Sequence, residues 1–307
     1  MSALLSLMKP VTLTAAMLTS STAPETDYPA WAAATTFALG ARCISATTHR
    51  IYESLVANNT GKDPTNIENR VGASPAWLDL SATNRWKMFD DQVASQTGIA
   101  SPLTVVLKPG FCNSIGLMGL DAEAIAVTVK DAPGGSVIYS YSGSLDASTQ
   151  YDYYEYFYQP FQQQTDFIVS GISPTNGMEV TVTLSRSAGS VACGMLQVGD
   201  LVPLGLTQYG AKAKPKTYSY IKVNDYGENE IIKRKKARDL SATAWLKRED
   251  ANAVLDTLGS MLDVPCIVIC SDRADLAGLR SFGLVSGEIS YDHPQDCQLS
   301  INVNGLI

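Results

Sequence analysis

Short runs of strand-forming residues, separated by turn sequences, constrain the fold of this chain more than any other feature. Six such runs follow one another between residues 100 and 200: Leu103–Leu107, Ile125–Val129, Val137–Tyr141, Phe167–Ile172, Glu179–Leu184 and Val191–Val198. The run Glu179–Leu184 alternates with a period of two, which is typical of a strand with one buried face. Turn-forming residues such as Asp131–Gly135 and Ser173–Gly177 separate the runs. We therefore expect a β-sandwich over residues 96–200.

The flanking parts of the chain differ from this middle part in composition. Residues 1–95 contain three of the four tryptophans and several turn sequences, which is typical of a small β module stapled by aromatic side chains. Residues 201–307 begin with the basic connection Lys212–Lys216 and continue with a predicted hairpin of Tyr218–Val223 and Glu230–Lys235. The sequence thus predicts a mainly β protein with domains 1–95, 96–200 and 201–307.

The third part also contains the clearest helix of the sequence. Apolar residues recur at i, i+3, i+4 and i+7 from Ala251 to Leu262, behind acidic residues that favour a helix N-terminus. The helix should end near Asp263, because Val264 precedes Pro265 and a residue before proline disfavours helical geometry. Two late strands, at about 284–290 and 297–303, make this domain α+β.

Other features exclude whole classes of protein. No apolar run reaches the roughly 18 residues of a membrane-spanning helix, so we expect no span. The apolar segment Ala3–Met8 lacks a preceding basic residue and is interrupted by Lys9 and Pro10, so a cleaved secretion signal is not expected. The net charge of −7, from 23 basic and 30 acidic residues, argues against a general nucleic-acid binder.

The six cysteines are too scattered for a disulfide scaffold, and most are expected to be buried free thiols. Cys266 and Cys270 lie in an apolar, β-branched run that reads as a strand, which places them about 13 Å apart. One metal ion cannot bridge that distance. A bond from either residue to Cys297 is the alternative.

Few residues have the types and spacings that catalysis needs. The two histidines, His49 and His293, lie in polar turns outside any metal-ligand spacing, and no nucleophile-elbow, phosphate-binding or dinucleotide-binding motif is present. Asp90 with Asp91, or Asp121 with Glu123, could serve glycoside hydrolysis, which uses two carboxyl groups. A glycosidase is therefore one alternative function, although we expect no catalytic residues, no cofactor and no metal.

The charge is unevenly distributed along the chain. Residues 212–248 contain 11 of the 23 basic residues and four of the 30 acidic ones, so they carry +7 and the rest carries −14. The densest run ends the predicted hairpin and comprises Lys233, Arg234, Lys235, Lys236 and Arg238. Such a separation favours electrostatic docking of proteins. The alternatives are a solvated hairpin and contact with nucleic acid, for example DNA passing through a channel.

Residues 151–161 form a second dense patch, with seven aromatic residues among eleven. On a strand, alternation would bury one set of these side chains and expose the other. Exposed tyrosines are typical of interfaces, so Tyr153, Tyr156 and Tyr158 are candidate interface residues, with a purely core role as the alternative.

The N-terminal part resembles the small carbohydrate-binding modules of the chitin-binding type, families 5 and 12. The residues that carry the resemblance are Tyr28–Trp31, Gly40–Ile44, Ile51–Leu55, Asn59–Gly61, Pro64 and Trp77–Leu80. The continuation Asn84–Asp90 resembles a segment of tailed-bacteriophage tail proteins that carry this module. The match covers about residues 28–91 and implies that Trp31, Tyr52 and Trp77 face sugar. Cys43 stands where the family commonly has valine, as suits a buried strand residue.

A second resemblance is carried by Ser219–Ile221, Asp225, Gly227, Lys233-Arg234, the predicted helix, Val264–Cys266 and the terminal run Cys297–Ile307. These segments are similar to the close of distal tail and baseplate proteins of tailed phages, which end in a strand followed by Gly-Leu. The resemblance implies a structural virion protein, made in the host cytoplasm, that forms a homo-oligomeric ring at the tail tip and contacts tube, hub and fibre proteins. A receptor-binding module that grips host cell-surface polysaccharide is the alternative function, besides the glycosidase.

Overall fold

Strands dominate the structure, a computed structural model that describes residues 4–147, 152–158, 162–223, 227–271 and 273–306. The predicted fold class, mainly β with one clear helix near the C-terminus, is confirmed. In chain order the strands are β1 (Leu4–Pro10), β2 (Leu18–Ser21), β3 (Arg42–Ser45), β4 (Arg50–Ser54), β5 (Trp77–Ala82), β6 (Thr97–Ala100), β7 (Leu103–Leu107), β8 (Ser114–Met118), β9 (Ala124–Lys130), β10 (Val137–Ser144), β11 (Asp166–Val169), β12 (Glu179–Ser185), β13 (Ser190–Cys193), β14 (Met195–Thr207), β15 (Lys212–Thr217), β16 (Tyr220–Val223), β17 (Asn229–Ile232), β18 (Lys236–Lys247), β19 (Cys266–Ile269), β20 (Arg280–Ser290) and β21 (Asp296–Gly305).

The helices are few and short. They are α1 (Tyr153–Tyr158), α2 (Ala251–Ser260) and the 3-10 segments Ile67–Asn69, Lys87–Phe89, Arg248–Asp250 and Ala274–Leu279. The helix α2 is the amphipathic helix that the sequence predicts, and it buries Ala251, Val254 and Leu258. It ends three residues before the predicted Asp263.

The N-terminal module is built on a three-stranded antiparallel sheet in the order β3-β4-β5. Its core consists of Phe37, Cys43, Tyr52, Ala76 and Trp77, with Trp31 partly buried against it. The Phe37 and Trp77 rings meet edge to face with centroids 5.2 Å apart. A module this small depends on such aromatic contacts, because few other apolar side chains are available to fill its core.

Two of the three residues predicted to face sugar are in that core, so this prediction is corrected for them. Tyr52 is 0% exposed and Trp77 is 1% exposed. The Trp77 indole also donates a hydrogen bond of 2.7 Å to the carbonyl of Lys62, which fixes the ring inward. Neither ring presents a face on which a sugar could stack. Trp31 keeps a partly exposed surface.

The middle of the chain forms a sandwich of two sheets. Five strands pair in the order β10-β9-β12-β7-β2. Alternate residues of β9 and β12, such as Val127 and Val180, point into one core together with Ile115 of β8 and Leu196 of β14, which belong to the other sheet. The period-two pattern read from the sequence is therefore the pattern of burial, as in strand β12.

The larger sheet has nine strands in the order β11-β8-β14-β1-β19-β20-β21-β18-β15, and it closes on itself. Strand β1 pairs with β14 on one side and β19 on the other. Strand β18 pairs with β21 and, through Leu206 and Trp245, with β14 again. Six strands thus form a closed ring, whose interior contains Leu5, Leu7 and the buried face of α2.

This closed ring joins distant parts of the chain. Strand β1 comes from the segment 1–95, and β8, β11 and β14 begin within 96–200, yet all pair in the same sheet as the strands after residue 201. The predicted boundaries near residues 95 and 200 remain predictions, and backbone hydrogen bonds of this sheet cross both of them. All six cysteines are free and buried, as expected.

Two segments differ in structure from the sequence prediction. Lys212–Lys216 belongs to strand β15, which pairs with β18, rather than to a connection. In the tyrosine-rich segment, the described residues 153–158 form helix α1 rather than a strand, so the predicted alternation of buried and exposed rings is wrong. Tyr153 is 86% exposed and Tyr158 is 71% exposed, so neither belongs to a core. The side chain of Tyr156 lies outside the described residues.

Closure of the ring requires a glycine where β14 meets β18. A Cβ atom added at Gly205 would lie 2.6 Å from the carbonyl oxygen of Trp245, which is backbone and cannot rotate away. We predict that Gly205→Ala lowers the free energy of unfolding by about 1–3 kcal/mol, because the two strands must separate to admit the methyl group.

Gly259→Ala is the matched control for this substitution. Gly259 is exposed in α2, nothing lies within 4 Å of an added Cβ, and alanine favours a helix over glycine by about 0.5–1 kcal/mol. Urea unfolding followed by circular dichroism should therefore move in opposite directions for the two variants. Equal stability of Gly205→Ala and wild type would contradict the close approach of β14 and β18.

Candidate functional site

A cleft of about 700 Å³ lies where strands β11, β15, β18 and β20 meet, and it is lined by basic and apolar side chains. The basic residues are Arg234, Lys235, Lys236, Arg238 and Arg280. The apolar part of its wall includes Met118, Leu120, Phe282 and Leu306. Four of the five basic residues predicted to form an interface are thus brought together here, whereas Lys233 lies outside the lining.

Backbone contacts hold two of these cations in place. Lys235 extends across the cleft, and its Nζ donates a hydrogen bond of 2.7 Å to the carbonyl of Ala94. Arg238, near the start of β18, donates from its guanidinium to the carbonyl of Gly278 at 3.1 Å. These contacts fix the positive charge without neutralising it, because a carbonyl group carries no net charge.

One carboxylate, Asp166 of strand β11, lies among these cations. Its Oδ2 is 3.9 Å from an Nη atom of Arg280 and has no hydrogen-bond partner among the described residues. Burial raises the pKa of Asp166, and the charges of Arg280 and Arg238 oppose that rise. With five cations and one carboxylate, the lining carries an excess of positive charge next to apolar surface.

The hairpin of β16 and β17 adjoins this cleft and is almost uncovered. All four residues of β16 are exposed, and Ile221, which pairs with Ile231 of β17, is 64% exposed. The guanidinium of Arg234, which lines the cleft, lies over the Tyr220 ring at 4.9 Å from its centroid. Among the described residues the two strands pair only with each other. An isolated two-stranded hairpin is at best marginally stable in water, so this one presents surface that a partner could cover.

The carboxylate pairs considered for hydrolysis have different surroundings. Arg186 pairs with Asp121 and lies 3.9 Å from Glu123. The backbone N–H of Ser187 also donates to Glu123 at 2.9 Å, which lowers the pKa of that carboxyl. Asp121 and Glu123 therefore tie β-strand ends to Arg186 through ion pairs.

Asp90 differs from the other acidic residues. Burial raises the pKa of Asp90 to about 6 and the charge of Asp91 adds to the rise, whereas a hydrogen bond from the backbone N–H of Gln92 opposes it. That bond is 2.9 Å long. Asp90 lines a smaller cleft of about 280 Å³ together with Asp91 and Gln197.

His49 is more enclosed than its polar turn predicts. Its side chain is 21% exposed, its ring stacks on Trp86 with centroids 4.3 Å apart, and its Nδ1 lies 2.8 Å from Oε1 of Glu25. Thr83 donates a hydrogen bond of 3.0 Å to the same oxygen. Since Glu25 precedes β3 and Thr83 follows β5, this cluster joins the two ends of the three-stranded sheet. His293 is exposed, as expected.

Among the described residues there is neither a metal-binding cluster nor a membrane-spanning helix. No group of three or more His, Cys, Asp or Glu side chains is arranged to hold a metal ion there. No helix among the same residues is long and apolar enough to cross a membrane.

Comparison with protein-family models, with curated proteins and with solved structures finds no match for this chain.

The unusual pKa of Asp90 predicts a pH dependence of stability. The unfolded carboxyl titrates near its ordinary value of about 3.9, so between about pH 4 and pH 6 the folded state binds the proton more tightly. The free energy of unfolding should fall as the pH rises through this window, by at most about 3 kcal/mol for this group. Asp90→Asn should remove that fall and be more stable than wild type at pH 7.

Urea unfolding at a series of pH values measures this effect. Asp91→Asn is the matched control, because Asp91 is the exposed neighbour in sequence and should leave most of the dependence in place. A pH profile of Asp90→Asn that parallels the wild-type profile would show that Asp90 is not held protonated by the fold.

Proposed function

We propose that this chain is a non-enzymatic structural subunit of a tailed-phage virion, at the tail tip or baseplate, that assembles into a ring and docks other tail proteins. The sequence resemblance supports the tail assignment. The observation that carries the assembly role is the cleft that gathers Arg234, Lys235, Lys236 and Arg238 beside an uncovered hairpin.

The chemistry of the cleft favours a protein partner. Arginine and aromatic residues are enriched at protein interfaces, and the cleft combines five cations with apolar side chains such as Phe282 and Leu306. A segment of protein with acidic and apolar side chains complements both components. Nucleic acid offers phosphates but would leave the apolar wall uncovered, so contact with DNA is limited in this proposal to its passage through a tail channel.

The structure offers less support to the two alternatives. A polysaccharide-gripping module needs exposed aromatic faces, whereas Tyr52 and Trp77 are buried. A glycosidase needs two carboxyl groups with divided roles, whereas Arg186 pairs with both Asp121 and Glu123. The other pair, Asp90 with Asp91, lines a cleft of only about 280 Å³, against about 700 Å³ for the basic cleft. The N-terminal module is therefore proposed to face a neighbouring tail protein. The protein is proposed to be located in the virion.

The direct test of the tail assignment is the position of the protein in virus particles. Purified particles of the phage that encodes this chain should bind gold-labelled antibody at the end of the tail. Particles that lack the protein would contradict the proposal.

Charge in the cleft should control association of the purified chain. We predict that Arg234→Glu with Lys236→Glu weakens self-association at least about tenfold, the equivalent of 1.4 kcal/mol, because it replaces attraction for acidic partner surface by repulsion. Sedimentation velocity at low and high salt measures the change, and the wild type should also dissociate as salt rises.

Lys62→Glu combined with Lys87→Glu is the matched control, because it makes the same change in net charge on the N-terminal module. This control should associate like the wild type. Equal weakening by both double variants would show that net charge, and not the cleft, controls association.

A further inference from the structure

Besides the β16–β17 hairpin, the edge strands of the two large sheets are uncovered. These edge strands differ in the features that discourage another strand from pairing with them. Strand β15 carries three lysines and Pro215 on the edge of the larger sheet. Lysine and proline discourage another strand from pairing with an edge. Strands β2 and β11 have only four residues each, and so short an edge offers few backbone groups to another strand. The remaining edge of the two large sheets is β10, which has no lysine or proline and is not short.

Strand β10 has eight residues, Val137–Ser144, with no charged residue and no proline. It pairs with β9 on one side, and no other described strand pairs with it. Apart from a register shift beside Val137, the pairing is regular from Tyr139 to Ser144. Tyr139 packs on the sandwich core, whereas Ser140 and Ser142 are exposed. A long, uncharged edge strand of this kind is a template for addition of another strand.

The sequence block that contains β10 carries only negative charge, although Lys130 of β9 lies opposite Val137 and 3.9 Å from Glu179. Residues 131–185 contain six acidic residues and no lysine, arginine or histidine, and half of the fourteen tyrosines lie within them. Helix α1, with Tyr153 and Tyr158 exposed, follows β10 in the same block. A strand that adds to β10 is therefore favoured when basic residues flank it.

Strand β16 of the hairpin has these properties. Its sequence Tyr-Ile-Lys-Val is apolar with one lysine, all four residues are exposed, and its outer edge has no partner among the described residues. The basic run Lys233–Arg238 lies directly beyond the hairpin. Its companion β17 carries Glu230 opposite Lys222, so β16 is the positive strand of the pair.

We infer that β10 of one copy of this chain accepts strand β16 of a second copy, so that the hairpin extends the five-stranded sheet. Each copy carries both the donor strand and the acceptor edge. Contacts of this kind run head to tail and close into a ring when the rotation between copies permits it. The inference rests on the proposed function, because it names the contact by which the subunit assembles.

The acceptor edge is tested with one pair of substitutions in two charge states. Ser140→Lys with Ser142→Lys copies onto β10 the lysines of β15 and repels Lys222 of β16 and the basic run Lys233–Arg238, so it should convert the wild-type oligomer to monomer. Ser140→Glu with Ser142→Glu places the same bulk and the opposite charge there and should preserve the oligomer. Both positions are exposed, so circular dichroism should show the wild-type secondary structure in each case.

The donor strand is tested by Lys222→Glu with Glu230→Lys, which keeps the net charge and the cross-strand pair of the hairpin but moves the positive charge from β16 to β17. This variant alone should be monomeric. Mixed with the Ser140→Lys, Ser142→Lys variant it should form oligomers again, because glutamate on one donor meets lysine on the other acceptor. Pairing of β10 with a second β10 predicts no such rescue, so its absence would overturn the inference.

The outcomes separate the inference from the proposed function. A wild-type chain that stays monomeric in sedimentation at about 0.1 mM, where a contact with a Kd of about 0.1 mM would already be populated, would overturn both. A wild-type oligomer that Ser140→Lys with Ser142→Lys leaves intact would overturn the inference alone and leave the assembly role in place.

Discussion

The closed ring of six strands is the constraint on which the rest of the structure depends. Strand β1 lies between β14 and β19, and the approach of β18 to β14 at Gly205 completes the circuit. Its interior takes Leu5 and Leu7 from one face of β1, while Met8 on the other face packs on a separate cluster with Ile267 and Phe282. Because both faces of β1 are buried, this strand packs on the interior of the ring with one face and on this separate apolar cluster with the other.

Closure also determines what remains open. The second half of β18 pairs into the ring, so its first half is left to pair with β15, and the chain between these strands projects as the β16–β17 hairpin. The same arrangement gathers Lys236 and Arg238 at the start of β18 with Arg280 at the start of β20. The hairpin and the basic cleft are thus direct consequences of where the ring closes.

Local patterning in the sequence predicts most of this architecture. The strands of the sandwich, helix α2 and the late strands follow from periodicity, because each has one face that must be buried. The basic cleft is predictable only in part. The run Lys233–Arg238 is visible in the sequence, whereas Asp166 and Arg280 join it through pairing between strands distant in the chain, for which the sequence contains no local signal.

Three sequence predictions differ from the structure, and each difference has a physical cause. Tyrosine favours strands, yet residues 153–158 form a helix in which Tyr153, Tyr154 and Tyr158 are exposed. The lysines of β15 look like a solvated connection because an edge strand needs no apolar face. The sequence resemblance implies that Tyr52 and Trp77 face sugar, but both rings fill the core of this small module.

In the proposed assembly, β10 of one copy and the β16–β17 hairpin of the next copy are the surfaces that become covered. Hydrogen–deuterium exchange, measured on the monomer at high salt and on the oligomer at low salt, reports the backbone hydrogen bonds gained. We expect new protection at 137–144 and 220–223, and little change in the module at 42–82. Protection confined to the module, with both of these segments exchanging as in the monomer, would contradict the account.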